Sequence, residues 1–244
     1  MSIKTGIAIV TLFAAGFFAP GCLFAAGQRP YFSMAAIPKQ RSSWFDDYEK
    51  GVIRAGQDLG FEVHTLTPAN ETQQIRLIED AIDQGANALL VVPNDANSCA
   101  PVFAGARQQN IVVITHESSN QPQADFNIEM IDNLGFGESF MDEIVQVIGP
   151  TGEFAIYVGS LTTPSHNIWA DAAIAYQRRN YPGLTLVAER FPVSENRDAA
   201  YRQTLELLAA HPNLQAILSF GSQGAPGAGQ AIRENPRQRR FAII

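Results

Sequence analysis

Apolar positions along this chain alternate between short unbroken runs and longer stretches with apolar residues three and four apart. Residues 31–37 form a run. After Ser42-Ser43, Phe45, Tyr48, Val52, Ala55 and Leu59 follow at helical spacing until Gly60. The same alternation predicts a strand over 61–66, a helix carrying Ile75, Ile78 and Ile82, a buried strand over 88–92, a helix over 98–109 and a strand over 111–115. Unbroken rather than alternating apolar strands are what a parallel sheet covered on both faces requires.

A connecting stretch over 118–132, with an edge strand at 126–131, leads into a second series. Phe136, Phe140, Ile144 and Ile148 mark a helix that Gly149-Pro150 ends. Strands are expected at 153–158, 185–189 and 216–220. Helices are expected around Trp169 to Tyr176, around Tyr201 to Leu208, and up to Glu234. The fold class is therefore α/β, as two Rossmann-like lobes with parallel sheets. The lobes are placed at 28–131 and 132–244. The second is read as incomplete, because residues 241–244 begin an apolar strand where the sequence stops.

The first 27 residues read as a signal for export. Lys4 precedes a 13-residue apolar core over 6–18, and the small residues Ala25-Ala26-Gly27 suit cleavage after Gly27. The alternatives are an N-terminal membrane anchor and lipid attachment at Cys22. The expected location is the periplasm, which leaves Cys99 as a lone buried thiol.

Composition excludes several classes. Of 244 residues, 46% are hydrophobic, too many for a disordered chain, and a net charge of −7 argues against nucleic acid as a partner. His64, His116, His166 and His211 have no metal-ligand spacing, and no Gly-x-Ser-x-Gly elbow or Walker loop occurs. Neither enzymatic activity nor a cofactor is expected. The glycine-rich segment 224–229 reads as close helix packing rather than a phosphate loop, and the protein is expected to be a monomer.

Open α/β sheets bind ligands beyond the carboxyl ends of their strands. Reading only those ends collects Lys39 and Trp44 after the first strand, Asn94 after the third and Glu117 after the fourth. In the second half it collects Ser165, His166 and Asn167, then Phe220 and Ser222. Hydroxyls, amides, charges and aromatic faces on two facing rims suit a small polyhydroxylated molecule. Asn94, His166, Asn167 and Ser222 also stand where helix caps would, and Trp44 lies beside the apolar face of its helix.

Ile37-Pro38-Lys39, residues 80–95, Gly159-Ser160-Leu161-Thr162 and Asn167-Ile168-Trp169 together resemble the periplasmic sugar-binding proteins of ABC importers. The similarity is greatest to the branch containing rhamnose-binding and autoinducer-2-binding proteins. The resemblance implies a two-lobed type I receptor that closes on its ligand and delivers it to a membrane permease. By motif, Lys39 matches a ligand-binding lysine of the autoinducer receptors, and Glu117 stands where they carry an aspartate. Ser165 and His166 replace their Asp-Gln, and Phe220 and Ser222 replace a proline and an alanine. These departures favour a sugar or related polyol. An autoinducer-2 receptor and a lactose-repressor-like sensing domain are the alternatives.

Overall fold

The computed structural model describes residues 31–236 and 240–244. The predicted export segment and Cys22 lie outside the described residues. Residues 32–244 form one compact unit that holds two parallel sheets.

In the first sheet, β1 (Ser33–Ile37), β2 (Glu62–Thr65), β3 (Ala88–Val91), β4 (Val112–His116) and β5 (Phe126–Ile128) lie in the order β2-β1-β3-β4-β5. Every pairing is parallel. Three helices connect them: α1 (Ser43–Leu59), α2 (Glu71–Asp83) and α3 (Ala96–Gln108). Their ends follow local chemistry. Gly60 closes α1 in the left-handed conformation, Asn70 accepts a hydrogen bond from Gln73 N to start α2, and Asp95 caps α3 through Asn97 N and Ser98 N. The expected start of α3 at Ser98 thus moves to Ala96, because Asp95 is the cap. The edge strand is shorter than expected and stops at Ile128.

Ile37, Leu89 and Val91 from the sheet pack with Ile78, Cys99 and Phe103 from α2 and α3, all without solvent exposure. Full burial of each large aliphatic side chain stabilises the fold by about 1.5–3 kcal/mol. Burial also pushes the Cys99 thiol up to about 12, with the carboxylates of Asp95 and Glu71 adding to the shift. Cys99 therefore stays a neutral packing residue.

The second sheet has β6 (Thr151–Val158), β7 (Gly183–Leu186), β8 (Phe191–Pro192), β9 (Leu214–Ser219) and β10 (Ala242–Ile243). Its order is β10-β9-β6-β7, with β8 pairing the far end of β6. Its helices are α4 (Asn133–Ile148), α5 (Pro164–Asn180), α6 (Arg197–Ala210) and α7 (Gly224–Glu234). The strand expected at 185–189 lies earlier, as β7, and the separate two-residue β8 follows beyond it. The first half of β6 holds β7 through the pairs Thr151–Gly183 to Phe154–Leu186, and Tyr157 and Val158 at its far end pair β8.

Glycines let the helices close up. A Cβ on Gly137 of α4 would meet the Trp169 carbonyl and stand 2.8 Å from Ala172 Cβ on α5. Gly227 of α7 likewise lies against the Arg197 carbonyl, and its missing Cβ would be 2.9 Å from Ala200 Cβ. The glycine-rich segment thus packs α7 onto α6.

Candidate functional site

Each sheet has one point where the chain reverses its direction of travel across the strands: between β1 and β3 in the first sheet, and between β6 and β9 in the second. Side chains following these strands have no neighbouring crossover above them, which makes such points natural ligand crevices. A cavity of about 310 Å³ lies there, at the small end of the range for small-molecule sites. The first lobe contributes Lys39, Ser42, Trp44, Phe45 and Glu117, while His166, Glu195, Ser219, Phe220 and Ser222 come from the second. A wider groove of about 620 Å³ shares Trp44 and Ser222 but is walled mainly by α1 and first-lobe residues, so the two sets of strand ends do not converge on it.

Lys39 is only 4% exposed. Its backbone is fixed by an amide lattice: Asn94 Nδ2 donates to the Lys39 carbonyl at 2.8 Å, and Gln74 Nε2 donates to the carbonyls of Pro38 and Val92 at 3.1 and 2.8 Å. Gln74 Oε1 in turn accepts from Asn94 N at 2.9 Å. The buried Gln74 thus ties the ends of β1 and β3 together. The Lys39 ammonium reaches across the cleft to Glu195 Oε1 at 2.5 Å, and Gln40 Nε2 donates to Glu195 Oε2. One second-lobe carboxylate therefore holds two consecutive first-lobe residues.

Thr162 bonds Asp95 across the same gap. Burial raises the Asp95 pKa, but hydrogen bonds from Ser98 N, the Thr162 hydroxyl and Asn97 N outweigh it, so its carboxyl lies below the ordinary value.

His166 lies in the first turn of α5. Its Nδ1 accepts from Gly159 N at 2.9 Å, which leaves the proton of the neutral ring on Nε2, 3.7 Å from Glu195 Oε1. Burial, helped by the positive charge of Lys39, holds the His166 pKa well below 6.5. The Glu195 carboxylate does not reverse this, because it stands beyond hydrogen-bond reach and is engaged by Lys39. His166 therefore offers a neutral N–H donor. A Cβ on Gly159 would lie 2.8 Å from Glu195 Cγ and 3.1 Å from His166 Nδ1, so any larger residue here would displace these two side chains.

Behind these polar groups stands an aromatic wall. Trp169 lies under the His166 ring at 5.4 Å, Phe136 packs on Trp169 at 4.8 Å, and Phe140 contacts Phe220 at 5.0 Å. Asn133 Oδ1 accepts from Trp169 Nε1 at 2.6 Å and fixes the indole. Trp44 faces these rings from α1 and is 61% exposed, whereas Phe45 beside it is buried.

Of the nine side chains singled out in the sequence, Lys39, Trp44, Glu117, His166, Phe220 and Ser222 line this cavity. The other three do not. Asn94 is spent on the backbone of Lys39. Asn167 donates to the carbonyls of Ser160 and Thr163 and accepts from Arg190, and Ser165 is buried at 2% exposure away from the cavity wall. The amides of Asn94 and Asn167 answer backbone carbonyls instead, which position in the chain cannot reveal.

Glu195, Gln74, Trp169 and Phe136 escaped the sequence reading of the rims. Glu195 sits one residue before the α6 cap, Asn196, and follows a strand of two residues. The sole signal for it was a carboxylate placed just ahead of a helix start.

The chain belongs to the periplasmic binding protein domain family, whose model matches residues 34–244. It is 22% identical over 218 residues to the ribose import binding protein RbsB of Bacillus subtilis, a match covering 86% of this chain and 68% of that one. Matches to three further curated sugar- or polyol-binding proteins cover 33 to 56% of those chains. An ABC transporter solute binding protein from Clostridium phytofermentas with bound L-rhamnose shares the fold at a TM-score of 0.81 and 22% identity, over 87% of this chain and 68% of that one. LsrB from Clostridium saccharobutylicum in complex with AI-2 does so at 0.77 and 20%, over 86% and 69%. The curated relatives are named as binding proteins, not as enzymes. The fold is that of the type I periplasmic binding proteins, and no described helix is long and apolar enough to cross a membrane.

Proposed function

We propose that this chain is the solute-binding component of an ABC importer, taking a monosaccharide or small polyol between its two lobes and presenting it to a membrane permease from the periplasm. The observation that carries this reading is a single cavity at the switch points of both sheets, with donors and acceptors from both lobes over an aromatic wall. Lys39 and the His166 N–H supply donors, the carboxylates of Glu117 and Glu195 accept hydroxyl protons, and the rings cover the C–H face of a sugar. A ligand that touches both rims is bound more tightly by the closed form, and that difference in affinity drives closure.

Thermal-shift and calorimetric titration with pentoses, hexoses, deoxysugars, polyols and autoinducer-2 tests the reading. At least one sugar or polyol is expected to raise the melting temperature, and Lys39→Met is expected to abolish the shift. A flat response across the whole panel counts against it. Tightest binding of autoinducer-2 would replace the sugar with the signal.

A further inference from the structure

The cavity holds two carboxylates and one lysine, and the lysine is already paired. Glu195 neutralises Lys39 at 2.5 Å, and the neutral His166 adds no charge. Glu117 is left over. Among the described residues its nearest partner for an ion pair is His116, whose Nε2 lies 3.8 Å from Glu117 Oε1. His116 Nδ1 donates to the Ile128 carbonyl at 2.8 Å, and its Nε2 stands beyond hydrogen-bond reach of Glu117. No lysine or arginine among the described residues bridges to this carboxylate.

The backbone of Glu117 is itself unusual. Its φ is 55°, in the left-handed region that non-glycine residues avoid, and Glu117 N donates to the Ile128 carbonyl at 3.2 Å to hold it there. That conformation turns the side chain off the end of β4 onto the cavity wall. The same cavity is walled by Trp44, Phe45, Phe136, Phe140, Trp169 and Phe220. An unpaired carboxylate beside several aromatic rings is a recognition site for an ammonium group, drawn by charge to the acid and by the ring quadrupoles to the aromatic faces.

We infer that this cavity selects a small polyhydroxylated ligand bearing a protonated amine, an amino sugar or an aminated polyol, with Glu117 as the residue that reads the charge. This rests on the sugar-receptor reading and narrows its ligand class. The lysine lies within its ion pair and offers no free charge to a uronic acid or a sugar phosphate, and Glu117 repels both.

Calorimetry on the full chain at pH 7.5 tests this with D-glucosamine, D-galactosamine and D-mannosamine, their neutral parent hexoses and the matching uronic acids. At least one amine is expected to bind about tenfold or more tighter than its parent sugar, a difference of ~1.4 kcal/mol, while the uronic acids do not bind. Glu117→Gln is expected to weaken the amine far more than its neutral parent and so erase that ratio. Neutral hexoses that bind as tightly as their amines overturn the inference and leave the sugar receptor standing, as does an amine preference that survives in Glu117→Gln. Binding of none of the three classes overturns both.

Discussion

Lys39 and Glu195, 156 positions apart in the chain, meet in an ion pair of 2.5 Å across the cleft, and Gln40 holds the carboxylate's other oxygen. Taking both charges out of water costs several kcal/mol, so such a pair is poor evidence for stability by itself. Its consequence here is geometric, because it forms only when the lobes are close.

Breaking the pair from one side therefore acts on closure. An unpaired buried charge ordinarily costs ~3–5 kcal/mol, but here the lobes can part and rehydrate Lys39. Glu195→Gln is expected to leave the denaturation midpoint nearly unchanged. It should increase the ligand-free radius of gyration in small-angle scattering and weaken ligand binding by about tenfold or more. Lys39→Met with Glu195→Leu should restore compactness without binding.

His166 gives the stability a pH dependence of defined sign. Its folded pKa lies well below the 6.5 of the free side chain, so below pH 6.5 the unfolded chain takes up a proton that the folded chain refuses. Stability from this group is complete above pH 6.5 and falls with acidification, by up to about 1.4 kcal/mol per pH unit. Urea denaturation at pH 7.5 and 5.5 should show a smaller loss in His166→Gln, in which the amide oxygen can still accept from Gly159 N.

Glu117 holds a backbone conformation that costs stability. Glycine adopts its φ of 55° without steric penalty. Glu117→Gly should therefore raise unfolding free energy by up to ~1 kcal/mol while ligand affinity falls. A variant that is both less stable and fully able to bind contradicts the role assigned to this backbone.

Gly137→Ala tests the support of the aromatic wall. Its added methyl meets the Trp169 carbonyl and Ala172 Cβ, so α4 and α5 must separate. A loss of ~1–3 kcal/mol is expected, with a change in tryptophan fluorescence as Trp169 shifts. Gly51→Ala, which has open space around its Cβ, is the control and should be neutral or slightly stabilising.

Much of this protein was legible in its sequence because the forces involved are local or periodic. The unbroken apolar runs of β1, β3 and β4 and the three-and-four spacing of α1 and α2 follow from burial on two faces or one. The strand-end rule also picked out Lys39, Glu117, His166 and Phe220, which line one cavity. The direction of each side chain was not legible. Asn94 and Asn167 stand at strand ends like the others, yet their amides serve nearby carbonyls. β8 has two residues and no pattern to detect, so Glu195 acquired its place only when β7 had used the first half of β6. The pairing of Lys39 with Glu195, and the charge left over on Glu117, depend on contacts between residues far apart in the chain. Such contacts carry no periodic signature, and only the packing of one lobe against the other decides them.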